Sequence, residues 1–231
     1  MNDIKVSVII PIYNGANFLE KNLLVLSKQT LKEIEFILVN DCSTDNSLNI
    51  LLAFKEVFPD KFVVINSEKN RGPGGARNIG ISYAKGEYIG FMDQDDYCHA
   101  DMYKDLYNEA ISGDFDIVKC GYYDKRNDKV HTPDYIRGEL IGDVERFNYI
   151  IDIFYIWNKI FKKELIDEMS MKFRENVIND DTDFSVEAGL RAKKFSVIPN
   201  TYYYYNFQGK STSRNDMINF EKHYNSIGSL L

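Results

Sequence analysis

The sequence predicts an α/β protein organised around a mostly parallel central sheet flanked by helices. Two observations carry this. Lys5–Ile10 and Glu35–Asn40 are nearly continuous apolar runs rich in Val and Ile, the pattern of strands buried on both faces. Helical patterns separate the strands, and such an alternation implies parallel pairing with right-handed crossovers. No repeat, low-complexity tract or obvious linker interrupts it.

The elements follow in order. Asn17–Gln29 carries Leu19, Leu23 and Leu26 at helical spacing. After the second strand, Ser43, Thr44 and Asp45 offer N-caps for a helix running to Phe58. Lys61–Asn66 reads as a third strand and Ala76–Lys85 as a short helix ended by Gly86. Glu87–Asp93 is a fourth strand, Ala100–Ser112 a helix and Asp116–Tyr123 a fifth strand.

A chain of 231 residues is one large domain, or one domain with an appendage. Hydrophobic residues make up 44% and aromatics 14%, enough for a substantial core. The net charge of −7, from 28 Lys+Arg and 35 Asp+Glu, argues against nucleic acid as a partner, although a local basic patch could still hold a phosphate. Three cysteines, Cys42, Cys98 and Cys120, without a Cys-x-x-Cys, give no disulfide framework, and a reducing cytoplasm is the expected compartment. The three histidines are scattered, so zinc has little support. The N-terminal apolar run stops at Pro11, far short of the ~20 residues a spanning helix needs, so a soluble chain is expected. A peripheral seat at a membrane face stays open.

In such a sheet, ligands bind at the carboxyl ends of the strands, where the unusual residues of the first half fall. Pro11, Tyr13 and Asn14 follow the first strand, and Asp41 and Ser43 the second. Asn70–Asn78, with Arg71 and Arg77, follows the third. The run Phe91-Met92-Asp93-Gln94-Asp95-Asp96 follows the fourth. A row of caps and turns would place polar groups there too. Together, though, an aromatic, carboxylates and a basic Gly-rich loop suggest a nucleoside diphosphate site.

The acidic run is the most telling part. Three carboxylates in four positions repel one another unless a cation or hydrogen-bond donors compensate. Hard oxygen ligands suit Mg²⁺ or Mn²⁺, which commonly bridge carboxylates to substrate phosphates. An acidic loop capping the next helix would carry the same residues. The Gly-rich stretch is neither a Walker loop nor a dinucleotide fingerprint, since Arg77 stands where the latter needs Gly or Ala. Its glycines permit close backbone approach. Arg71 reads as nearer a ligand, and Arg77 as partly structural.

These blocks together resemble family 2 glycosyltransferases. The resemblance is carried by Val6-Ser-Val-Ile-Ile-Pro-Ile-Tyr-Asn14, Val39-Asn-Asp-Cys-Ser-Thr-Asp45, Asn70–Asn78, Phe91–Asp96, Trp157-Asn-Lys-Ile-Phe161, Asp180-Asp181 and Tyr203-Tyr204-Tyr205, all in family order. It implies a GT-A fold, with a Rossmann-like sheet and a C-terminal acceptor-side subregion. It further implies a nucleotide-sugar donor, usually UDP-linked, a divalent cation (Mn²⁺ or Mg²⁺) and inversion at the anomeric carbon. The acceptor would be a hydroxyl on a glycan, lipid-linked or protein-linked, in bacterial-type surface glycan assembly. Residues 1–97 would form the nucleotide-sugar-binding half and residues 98–214 the acceptor-binding and catalytic half. Residues 215–231 would be a C-terminal helix cut from a longer protein, whose missing part would allow peripheral association with the inner face of the membrane.

Carried over by position, Tyr13 stacks on the uracil, Asp41 accepts its imide N–H, Pro11 shapes that pocket and Asn14 belongs to it. Arg71 and Arg77 fall in the nucleotide-binding set. Asp93 faces the ribose or donor sugar. Asp95 is the chief metal ligand, with Asp96 supporting it. Asp181 is the general base, and Asp180 joins Trp157, Asn158 and Lys159 on the donor- or acceptor-sugar side.

The chain departs from the family pattern at Asn40 and Cys42, where Asp and Gly are usual, and at Asp180 in place of Glu. Asp41 and Asp181 are retained. Cys42 makes its loop less permissive, or is a plain packing residue. On the residues alone, Trp157 reads as core and Asp180, Asp181 and Asp183 as an acidic first helical turn. Gln208, Lys210 and Arg214 lie in a tail that, in the family, folds over the diphosphate. A sugar-nucleotide-binding homologue without transfer activity and a nucleotidyltransferase are the competing readings. Retention of Asp95 and Asp181 argues against the first, and Pro-Ile-Tyr-Asn after strand one against the second.

Overall fold

A computed structural model describes residues 3–133, 136–139, 155–168, 170–175, 177 and 180–206. The tail residues Gln208, Lys210 and Arg214 and the expected C-terminal helix lie outside them. In chain order the elements are β1 (Val6–Ile12), α1 (Ala16–Ser27), β2 (Ile34–Asn40), α2 (Ser47–Val57), β3 (Phe62–Asn66) and α3 (Gly72–Tyr83). Then come β4 (Tyr88–Phe91), β5 (Tyr97–Cys98), α4 (Met102–Gly113), β6 (Ile117–Asp124), β7 (Lys129–His131) and β8 (Ile136–Glu139). The last are β9 (Lys159–Lys162), α5 (Lys163–Glu168), α6 (Asp180–Arg191) and β10 (Lys194–Tyr205).

Among the described residues the strands form one sheet in the order β3-β2-β1-β4-β9-β6-β10-β5, with β7 on β6 and β8 on β10. The first four strands pair in parallel, as the alternation with helices requires. β9 is inserted antiparallel between β4 and β6, and β6 and β10 are parallel to each other. Strand residues alternate between two cores, as the period of two demands. Val6, Val8, Ile10, Phe36 and Leu38 meet Leu19, Leu23 and Leu26 of α1, Leu51 of α2 and Leu106 of α4. Ile9, Ile37, Val39 and Phe91 meet Ala76 of α3, Ile166 of α5 and Phe184 and Ala188 of α6. Burial on both faces explains why β1 and β2 read as continuous apolar runs.

Two features aim residues at the site. α3 begins at Gly72, four residues before the expected start at Ala76, so much of the Gly-rich stretch is the first turn of a helix and not a loop. Pro73 sits in that first turn, where its missing N–H costs nothing. Gly74 allows the close approach, since a Cβ there would lie 2.3 Å from the Arg174 carbonyl oxygen and 2.9 Å from Asp180 Oδ2. β10 shifts register against β6 between Val197 and Tyr203, around Pro199, which cannot donate to the ladder.

α3 is also fitted tightly to β1. A Cβ on Gly80 would fall 2.3 Å from Ile9 Cγ2, inside the core. Gly80→Ala should therefore destabilise by about 1–3 kcal/mol through overpacking, read as a lower urea midpoint. An unchanged midpoint would show that the α3–β1 contact has slack.

Candidate active site

The loop after β1 is fixed through its main chain. Gln94 Oε1 accepts the Tyr13 N–H, and Gln94 Nε2 donates to the Tyr13 carbonyl, both at 3.1 Å. The Tyr13 ring remains 48% exposed. Asn14 has φ +50°. Its N–H is accepted by Ser43 Oγ at 3.0 Å, and its Oδ1 accepts the Thr44 N–H at 2.8 Å. Asn14 therefore knits the first loop to the second. Pro11 is half-buried within β1.

Asp41, after β2, is buried, and its two oxygens accept the Arg71 N–H at 2.9 and 3.1 Å. Burial raises its carboxyl pKa, against the pull of those backbone bonds. Asp41 thus anchors the entrance to α3. The Arg71 guanidinium forms a half-exposed ion pair with Glu175 at 3.5 Å. Cys42 is exposed, with φ +61°. It is no packing residue, and it adopts the left-handed conformation that glycine would take without strain.

Arg77 is buried at the centre of the site. Its Nη1 donates to Asp180 Oδ2 at 2.7 Å and its Nη2 to Asp93 Oδ1 at 3.0 Å. The Phe173 ring lies 5.4 Å from its Cζ. One guanidinium from α3 thereby joins the acidic run after β4 to the start of α6.

The three aspartates of that helix start point to different partners. Asp180 takes Arg77, while Asp183 pairs with Arg174. Asp181 makes no ion pair among the described residues, and its Oδ1 accepts the Thr182 N–H at 3.0 Å. Burial pushes its pKa up to about 6, with Arg77 opposing and Asp180 and Asp93 adding repulsion.

The acidic run divides likewise. Asp96 is buried, and both its oxygens are engaged: Oδ2 accepts the Tyr203 hydroxyl at 2.6 Å and Oδ1 the Asn206 N–H at 2.7 Å. Burial and Asp93 raise its pKa well above the usual range, against those two hydrogen bonds. Asn206 Nδ2 also donates to the Asp95 carbonyl at 3.1 Å. No side chain among the described residues bonds the Asp95 carboxylate. Burial, and then repulsion from Asp93, raise its pKa to about 6. Among the described residues no three His, Cys, Asp or Glu form a ready metal cage. A partly buried carboxylate bound by no side chain, beside a second one, does fit a hard cation completed by ligand oxygens.

Trp157, Asn158 and Lys159 lie beneath the surface. Trp157 is 4% exposed and stacks on Tyr203 at 4.4 Å and on Tyr155 at 4.8 Å. Asn158 Nδ2 donates to the Cys120 carbonyl at 2.7 Å, and the buried Lys159 donates to the Tyr155 carbonyl. The exposed member of this aromatic stack is Tyr155, which sequence reasoning did not single out. Nor did it find Gln94 or Asn206, whose roles lie in contacts distant in sequence. Tyr203 was visible only as one of a run of four tyrosines.

Over residues 7–181 the chain matches the model of Glycosyl transferase family 2. It is 32% identical to an uncharacterized glycosyltransferase, EpsJ, of Bacillus subtilis, over 87% of this chain and 60% of that protein. It is 34% identical to a poly(ribitol-phosphate) beta-glucosyltransferase of Bacillus spizizenii, over 87% of this chain and 32% of that one. Residues 1–349 of TarS from S. aureus, solved in complex with UDP-GlcNAc, match with a TM-score of 0.80 and 28% identity. That match covers 91% of this chain and 60% of the TarS chain, and bears out the GT-A fold. The chain thus spans 60% of the length of EpsJ and of this TarS structure.

Cys42 gives a direct test of strain at the site's edge. A non-glycine residue in the left-handed region costs about 1–2 kcal/mol, partly offset by the greater chain entropy of glycine. Cys42→Gly should raise stability by about 0.5–1 kcal/mol in urea unfolding. A loss of stability would mean that the Cys42 side chain contributes contacts outweighing the strain.

Proposed function

The chain belongs to glycosyl transferase family 2, and from that premise we propose that it transfers a sugar from a UDP-linked donor to an acceptor hydroxyl with inversion, Asp181 acting as general base. The observation that carries this reading is the division of labour at the start of α6. Asp180 and Asp183 are bound in ion pairs, while Asp181 is half-buried without one, its proton affinity raised toward neutrality. A base with a pKa near 6 is ionised at neutral pH yet basic enough to assist proton transfer.

The UDP reading is supported by the UDP-GlcNAc in the related TarS structure. It is also supported by Asp41: carboxylate oxygens carry several acceptor positions, so Asp41 can hold Arg71 and still accept an imide N–H. The exposed Tyr13 ring offers a stacking face. Pro11 and Asn14 shape that end of the site, and Asp93 and Arg71 fall on the donor side. The relative named for poly(ribitol-phosphate) glucosyl transfer supports an acceptor of the cell-surface glycan kind. No helix among the described residues is long and apolar enough to cross a membrane. Cytoplasmic work at the inner face of the membrane, with a glycan, lipid-linked or protein-linked acceptor, is part of the same proposal. So is the division into a donor half, 1–97, and an acceptor half, 98–214.

Asp95 would hold a Mn²⁺ or Mg²⁺ ion, and Asp96 would support it by anchoring the run to Tyr203 and Asn206. When bound, such an ion neutralises charge gathering on the diphosphate leaving group. Asp181 takes the acceptor proton as the acceptor oxygen attacks the anomeric carbon. The bond to the diphosphate breaks on the opposite face. Arg77 fixes Asp93 and Asp180, and through Asp180 the placement of its neighbour Asp181.

Three outcomes test this. Asp181→Asn should lower transfer by about 10²–10⁴ while UDP affinity, read by calorimetry, barely changes. Full transfer in that variant would remove the base assignment. In the unmodified protein kcat/KM should rise with pH through about 6 and level off above it, because the base works only when ionised. A profile flat from pH 5 to 8 would contradict that. Calorimetry should further show UDP binding more tightly than GDP or ADP, and more tightly with Mn²⁺ than with chelator. Equal UDP affinity with Mn²⁺ and with chelator would remove the metal role of Asp95.

A further inference from the structure

We propose that Gln94, the residue between Asp93 and Asp95, is a positioning residue that couples recognition of the donor's base to recognition of its diphosphate. The inference rests on the nucleotide-sugar reading of the site. Its starting point is a two-point contact. The Gln94 amide accepts the Tyr13 N–H and donates to the Tyr13 carbonyl, both at 3.1 Å. Only one orientation of the amide satisfies both groups, since an N–H needs the oxygen and a carbonyl the nitrogen. A side chain thus does the work of a paired strand just past the end of β1.

Gln94 is itself held. Its own carbonyl accepts Asn22 Nδ2 at 2.8 Å, and Asn22 is buried on α1. Gly15 clears the way for the clamp, because a Cβ there would lie 2.3 Å from Gln94 Oε1. The next N–H groups of the Tyr13 loop are taken from the other side: Asn14 by Ser43 Oγ, Gly15 by Ser47 Oγ and Ala16 by Asp45 Oδ2, at 2.9–3.0 Å.

The main chain at Tyr13 is therefore immobilised while its ring stays exposed. A stacking ring on a fixed backbone loses less freedom when a base arrives, so preorganisation strengthens binding. Because the clamp is covalently continuous with Asp93 and Asp95, the base-stacking ring and the acidic run move as one unit. A nucleoside diphosphate spanning both gains from that unit, whereas a fragment touching only the acidic run does not.

The test uses Gln94→Met, which keeps length and loses both hydrogen bonds, and Gly15→Ala, which disturbs the same clamp from the opposite side. Calorimetry measures UDP with Mn²⁺, and inorganic pyrophosphate with Mn²⁺, on the unmodified protein, both variants and the double variant. Each single variant should weaken UDP about tenfold, the scale of one to two lost hydrogen bonds, and change pyrophosphate less than about twofold. The double variant should be no weaker than the worse single one, because both remove one contact. Unmodified UDP affinity in Gln94→Met overturns the proposal, and so does an equal loss for UDP and pyrophosphate, or strict additivity in the double variant. Should Gln94→Met fail to fold, Gly15→Ala decides by the same criteria. If the unmodified protein binds pyrophosphate but not UDP, the nucleotide reading itself fails, and the clamp proposal with it.

Discussion

Arg77 is the point on which the site depends. Its guanidinium, 7% exposed, reaches Asp93 just after β4 and Asp180 at the start of α6, residues far apart in sequence. Taking such charges out of water is expensive, and a buried pair contributes little net stability over an apolar replacement. What it supplies is register, because a planar fork with fixed donor directions accepts two carboxylates in only one arrangement. Gly74 and the early start of α3 are needed for the same contact, since a side chain at Gly74 would collide with the Arg174 carbonyl and crowd the Asp180 carboxylate.

The remaining acidic groups are handled by division. Asp41 receives backbone N–H groups at the head of α3. Asp96 receives the Tyr203 hydroxyl and the Asn206 N–H. Asp180 receives Arg77, and Asp183 receives Arg174. Two carboxylates are left with raised proton affinity and no ion pair among the described residues, Asp95 and Asp181. Half-buried carboxylates without a counter-charge cost folding stability, and on the proposed function these two are the groups that meet the cation and the acceptor proton. The second core supports that arrangement directly, with Phe173 and Phe184 stacked at 4.2 Å below Arg77.

Much of this was legible in the sequence where one local signal dominates. β1 and β2 announce themselves because both faces are buried, and α1 because Leu19, Leu23 and Leu26 share one face. The rim residues could be placed because parallel strands put their carboxyl ends together. β9 was not legible as a strand: Lys159–Lys162 is four residues long, bounded by lysines, and is stabilised by pairing on both sides. The start of α3 was missed because its glycines are poor helix formers and are there for close packing. Trp157, placed on the donor- or acceptor-sugar side by resemblance, is buried, as the residues alone suggested, with Tyr155 outermost in the stack. The roles of Arg77 and Gln94 could not be read locally, because each lies in partners brought close only by the fold.

The most direct measurement is a double-mutant cycle on Arg77→Met and Asp180→Asn, read by urea unfolding at pH 7. Arg77→Met leaves Asp180 and Asp93 without their counter-charge, and Asp180→Asn leaves the buried guanidinium one counter-charge short, so each should cost about 3 kcal/mol. The double variant removes both charges of the pair, so it should cost at least about 2 kcal/mol less than the sum. Additivity within about 0.5 kcal/mol would contradict the account, since it would mean that Arg77 does not hold α6 to the acidic run.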